Sequence, residues 1–185
     1  MRTLEFLTTA IFTSLVIASC SDDDDGTPEM VNEEELITTM TVTLTPENDG
    51  TTVILKTFDL DGDGGDAPVV TVSGNLAANT SYSGTIELLN ETEDPAEDIT
   101  EEVEEEAEEH QFFYTVSDDL NIETDYIDLD DNDNPVGIQF DLQTGEASTG
   151  TLTFTLRHEP TKPNTGLESA GGETDISTPF TVTIE

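Results

Sequence analysis

Threonine at every second position constrains this chain more than any other feature. In "TMTVTLTP" (39–46) Met40, Val42 and Leu44 point one way while Thr39, Thr41 and Thr43 point the other. "TLTFTLRH" (151–158) sets Leu152, Phe154, Leu156 and His158 against Thr151, Thr153, Thr155 and Arg157. "TPFTVTIE" (178–185) repeats the pattern, with Phe180, Val182 and Ile184 opposite Thr181 and Thr183. Successive side chains of a strand face opposite ways, so each stretch has one apolar face and one hydroxyl face. That suits an antiparallel sheet with one side packed and the other in water. Further strands are expected near 52–58, 68–73, 80–89, 111–117, 120–129 and 136–143, about nine in all, separated by Gly, Pro, Asn and Asp. Short, regular strands with little helix predict an all-β fold, an immunoglobulin-like antiparallel β-sandwich. The Cys and Trp landmarks of antibody domains are missing, so the prediction concerns architecture only. Residues 159–173 read as a long polar loop.

Residues 94–110 break the alternation and read as one short acidic helix between strands. Asp94 stands at the cap, Pro95 at the first helical position and Glu97 at the third, a good start for a helix. Ala96, Ile99, Val103, Ala107 and His110 then recur at spacings of three and four. A helix of that length carries six like-charge pairs at i,i+4, from Glu97–Glu101 to Glu105–Glu109. At roughly 0.2–0.5 kcal/mol each they cost about 1–3 kcal/mol before salt screening. A cation near the helix, or a salty habitat, relieves that cost.

The N-terminus has its own logic. Arg2 and the apolar run 10–18, too short to span a bilayer, read as a signal peptide over 1–19. Ile17-Ala18-Ser19-Cys20 resembles the bacterial lipobox, with Cys20 as the lipidated residue. "SDDDD" (21–25) resembles the surface-export signal of Bacteroidota lipoproteins, and 20–34 reads as an acidic flexible tether. Residues 35–185 are left for a single sandwich domain. Cys20 is the only cysteine, so no intramolecular disulfide forms. The leader removes one base and one acid, Arg2 and Glu5, so the net charge of the remaining chain stays at −39. Such a surface repels nucleic acid and anionic lipid headgroups and gathers cations.

Two constellations bear on cation chemistry. His110 and His158 are the only histidines, and each has a glutamate beside it, Glu109 and Glu159. Imidazole with carboxylate suits a divalent transition metal such as zinc, copper or nickel. That set predicts a surface-poised site, provided the histidines lie within about 5 Å of each other, given metal–ligand bonds near 2 Å. "FDLDGDGGD" (58–66) places Asp59, Asp61, Asp63 and Asp66 as a possible calcium loop, although the twelfth EF-hand position is Val70 rather than Glu. "DLDDNDNPVG" (128–137) reads as a hairpin connection. No catalytic motif is present: there is no GxSxG, no phosphate-binding glycine loop and no cysteine in the domain. The chain is read as a non-enzyme.

The segments "EEELITTMTVTLTP", "EEVEEEAEEHQFF", "LRHEP" and "AGGETDI" are similar to a group of small flavobacterial lipoproteins of unassigned function, and the likeness covers nearly the whole chain. Members are often labelled type 1 periplasmic binding fold proteins. That name implies a two-lobed α/β structure of much greater length, whereas the alternation here implies a sandwich. The resemblance also implies a place at the outer membrane, exposed at the cell surface beside a TonB-dependent receptor. The expectation is a lipid-anchored, non-catalytic binding module for uptake of a nutrient, a metal ion or metal complex. The alternative is a structural or adhesive surface domain with a salt-adapted acidic surface, stiffened by calcium.

Overall fold

The apolar members of the alternating stretches form one core, and their placement explains the sheets. The computed structural model describes residues 35–61 and 65–185. The expected leader, tether and Cys20, together with Asp63, lie outside the described residues. In chain order the elements are β1 (Thr39–Pro46), β2 (Val53–Phe58), β3 (Val69–Val72), β4 (Ser81–Asn90), β5 (Glu97–Asp98), α1 (Ile99–Glu105), β6 (His110–Val116), β7 (Ile122–Tyr126), β8 (Gln139–Thr144), β9 (Ser148–His158), α2 (Leu167–Ala170) and β10 (Glu173–Ile184). All nine expected strands are there, within a few residues, and the two-residue β5 is added to them. The described residues belong to one compact unit, Glu33–Glu185, and among them no helix is long and apolar enough to cross a membrane.

The larger sheet runs β3-β2-β1-β4-β8-β7, with β5 appended to β4, and the smaller runs β10-β9-β6. Every pairing between these strands is antiparallel. Met40, Val42 and Leu44 of β1 meet Leu152, Phe154 and Leu156 of β9 and Phe180 and Val182 of β10 in a single buried cluster. Burying a Leu or Phe side chain is worth about 1.5–3 kcal/mol, so these alternating positions set which face each strand turns inward. Phe140 of β8 lies over Gly84 of β4, directly opposite it in register. A Cβ at Gly84 would stand 2.3 Å from the Phe140 ring, so only glycine leaves room for that ring.

The acidic helix is shorter than its sequence suggests. Leu89 pairs with Asp98 and Asn90 with Glu97, which holds the chain extended until residue 98. Asp98, not Asp94, is the cap, and its carboxylate accepts from the Thr100 amide. Thr100 Oγ1 accepts from the Leu88 amide at 2.9 Å, so β4 fixes the helix start. Ile99 and Val103 are buried, while Ala96 is exposed outside the helix and His110 already belongs to β6. Of the six like-charge pairs, only Glu101–Glu105 lies wholly within α1, while Glu102 meets the C-cap Glu106 across the last helical bond and its carboxyl pKa is raised by burial and by the charges of Glu35 and Glu106. The polar segment 159–173 also differs from expectation: it contains the short helix α2, whose Ala170 is buried.

The Asp-rich connection between β7 and β8 is anchored by a buried charge. Asp130 accepts from the Asn132 and Asn134 amides and from Lys162 Nζ at 3.2 Å. Lys162 also donates to the Ala107 carbonyl at 2.7 Å. This one lysine therefore ties the 159–166 loop to the turn after α1, which leads into β6 and the site below.

Candidate metal centre

Three strands of the smaller sheet bring ligating side chains to one end of the sandwich. β6 starts there with His110, β9 ends there with His158, and register places the two histidines directly opposite each other. β10 also starts there. Thr174 pairs with Arg157 and Ile176 with Leu156, which leaves Asp175 as the extra residue of a β-bulge. A bulge re-aims a side chain that strict alternation would send elsewhere, and bulges gather beside functional sites. Here it turns a carboxylate toward the two imidazoles. Arg157 Nη1 donates to Thr174 Oγ1 at 2.6 Å, bracing the strand next to the bulge. Gly172 (φ +69°) lets the preceding turn press on this corner: a Cβ there would stand 2.2 Å from the His158 carbonyl. The fourth side chain, Glu35, comes from the segment that leads into β1.

Glu35 bridges the histidines, with Oε1 at 2.8 Å from His110 Nε2 and Oε2 at 3.1 Å from His158 Nδ1. Asp175 completes the ring, Oδ1 at 3.7 Å from His158 Nδ1 and Oδ2 at 4.0 Å from His110 Nε2. The imidazole centroids are 4.8 Å apart in an edge-on arrangement. The side chains are nearly sealed from water: His110 and Asp175 are 0% exposed, Glu35 3% and His158 6%. The expected surface-poised site is in fact closed.

The far side of His110 decides what its inner nitrogen can do. His110 Nδ1 lies 3.2 Å from the Glu106 carbonyl at the C-cap of α1. A carbonyl only accepts, so that contact places a proton on Nδ1 and, in the neutral ring, leaves a lone pair on Nε2. Metal-bound histidines are oriented by just such an outer bond to a backbone carbonyl. Nε2 then faces Glu35 Oε1 at 2.8 Å. A lone pair against a buried carboxylate is repulsive. Two species resolve it, a second proton on His110 or a cation between the groups. Burial pushes the His110 pKa down, but Glu35 and Asp175 outweigh it and hold the value above the ordinary 6.5. Burial likewise pushes Glu35 up, yet the two imidazoles keep its carboxyl below the usual 4.5.

The donor set fits a metal ion. Taking one ligating atom from each residue, all four lie within 4.8 Å of one another. Two imidazoles and two carboxylates offer nitrogen and oxygen to a first-row divalent cation. This buried cluster could therefore hold a metal ion.

The expected pairing of His110 with His158 is present and meets its distance requirement. Glu109 and Glu159 stand differently: both are exposed and form a second group with His158 rather than with His110. The Glu159 amide donates to the Glu109 carbonyl at 2.7 Å, which clips these neighbours together at the mouth of the corner. The carboxylates inside the cluster are Glu35 and Asp175, which sequence reasoning missed. The sequence carries no signal for Asp175, which falls at a polar position of the alternation Ile176, Thr178, Phe180 and is turned inward only by the bulge. Of the calcium loop, Asp61 and Asp66 are exposed, Asp61 Oδ2 accepts from the Asp66 amide at 3.2 Å, and the Asp59 amide donates to the Thr38 carbonyl at 2.8 Å. Among the described residues these aspartates form no ligand cluster. Compared with family models, curated proteins and solved structures, the chain gives no match, so the centre is interpreted from its own geometry.

Proposed function

We propose that this chain is a non-catalytic metal-binding module, carried on the outer membrane by lipid at Cys20 and serving uptake of a transition metal ion or its complex beside a TonB-dependent receptor. The observation that supports it is the buried His110 Nε2, turned inward by the Glu106 carbonyl and grouped with ligating atoms of His158, Glu35 and Asp175 within 4.8 Å of one another. Zinc suits the donor set and spacing, and copper(II) or nickel(II) follow by ligand type. The charge of −39 draws cations toward the surface and discourages nucleic acid. Isothermal titration of zinc and copper into the full-length protein at high salt tests the reading. Binding that disappears in His110→Ala, His158→Ala supports it, and heat that is weak and unchanged by the double substitution rejects it.

A second reading is favoured by closure of the site. Structural metal centres take four protein ligands and no water, and the side chains here are at most 6% exposed. On that reading the ion stiffens a structural or adhesive domain and never leaves. The two readings part on whether bound metal exchanges on the timescale of minutes or only on unfolding.

A further inference from the structure

We propose that Glu35 is an exchangeable fourth ligand, and that the cleft beside it admits a small carboxylate that takes its place on the metal. The inference rests on the reading that the cluster binds a metal, and it names the route and ligand class of that site. His110, His158 and Asp175 sit on three hydrogen-bonded neighbours, β6, β9 and β10. Glu35 belongs to neither sheet. Among the described residues, the first backbone bond joining its segment to the sheets is Thr38 N to Leu89 O, at 3.0 Å. The site is thus three ligands on a rigid sheet plus one on a strandless segment. Three protein ligands and an open position is the arrangement of metal centres that receive outside ligands.

What lies beyond Glu35 supplies the route. A cleft of about 590 Å³ is lined by Glu35 and Asp175 themselves and by Thr38, Thr57, Asp59 and Ser177. It opens between the start of β1 and the start of β10, alongside the residues that carry the two ligating carboxylates, whose oxygens face inward until Glu35 moves. Its hydroxyls can bond a carboxylate, and Leu36, Ile37, Pro68 and Ile176 give it an apolar wall for a short alkyl group. A carboxylate is the donor that leaves when Glu35 swings out, so an incoming carboxylate conserves both charge and coordination. Asp59 at the cleft opposes further negative charge and favours a monoanion. Exchange of this kind lets a buried ion be loaded and surrendered without unfolding the sandwich.

Cobalt(II), whose visible bands report its coordination, is the probe ion, and acetate is the probe ligand. Full-length Glu35→Ala, checked for folding by circular dichroism, is expected to bind cobalt at least about tenfold more weakly. Tens of millimolar acetate is expected to tighten binding and return the bands toward those of the unsubstituted protein. Glu35→Gln, which keeps the position filled, is expected to be weakened but unresponsive. In the unsubstituted protein, acetate should speed release of cobalt to a chelator. Cobalt held by folded Glu35→Ala with no response to acetate overturns the proposal, as does an acetate-independent release rate in the unsubstituted protein. Complete loss of cobalt from folded Glu35→Ala also overturns it, because Glu35 would then be indispensable. No cobalt or zinc binding by the unsubstituted protein removes the metal reading beneath it, a result distinct from the other three.

Discussion

Replacing His110 with alanine should cost far more than its single hydrogen bond. The ring is 0% exposed and touches the Glu106 carbonyl, the His158 ring and the Glu35 carboxylate. Removing it leaves Glu35, itself 3% exposed, facing a void with one imidazole where there were two. Breaking a buried charged pair by deleting one partner costs about 3–5 kcal/mol. In a domain of this size 1 kcal/mol moves the melting midpoint by about 2–4 °C, so His110→Ala should melt about 6–20 °C lower in chelator. Zinc should then fail to restore the difference. The exposed Glu109→Ala should stay within about 0.5 kcal/mol of the unsubstituted protein and keep its zinc response. Circular dichroism melts with EDTA and with zinc make the comparison. A His110→Ala protein that melts within about 2 °C of its parent in chelator and gains the same increment from zinc would refute the reasoning.

Three more perturbations follow from named contacts. Without metal, the His110 contribution is complete below its ordinary 6.5 and is lost as pH rises through its raised folded value, while the Glu35 contribution is complete above 4.5 and is lost as pH falls through its lowered one. Chelated protein should therefore melt highest between those two values, and zinc should remove the alkaline decline; a melting profile that climbs steadily from pH 5 to 8 in EDTA contradicts this. Gly84→Ala pushes a methyl into the Phe140 ring, which Tyr114 at 4.7 Å and Phe154 at 5.7 Å prevent from retreating, so about 1–3 kcal/mol of stability should be lost in urea titrations. Lys162→Ala strands buried Asp130, though Asn132 and Asn134 still bond it, so a loss of about 2–4 kcal/mol is expected, against little change if the pair is superficial.

The strands were legible because each alternation states its own answer. "TLTFTLRH" and "TPFTVTIE" leave one way to hide Phe154 and Phe180, and β9 and β10 follow it. The helix was misjudged because Pro95 and Asp94 satisfy local rules for a start, while the pairing of Glu97 and Asp98 with β4 is a long-range fact that no local rule contains. The centre was half legible. Histidines are scarce enough in this chain to be conspicuous, so His110 and His158 could be paired before any fold was known. Glu35 and Asp175 were hidden among many acids, and only a bulge in β10 and the path of the chain into β1 distinguish them. The acidic stretch that ends at His110 matters less for its glutamate side chains than for one backbone atom, the Glu106 carbonyl that orients His110.

X-ray absorption at the zinc edge of the loaded full-length protein tests the centre most directly. Two imidazole nitrogens and two carboxylate oxygens at about 2.0–2.1 Å are expected, collapsing to fewer nitrogens in His158→Ala. A shell of oxygens alone, or one unaltered by His158→Ala, would place the ion among the surface glutamates and contradict a buried centre built on His110 and His158.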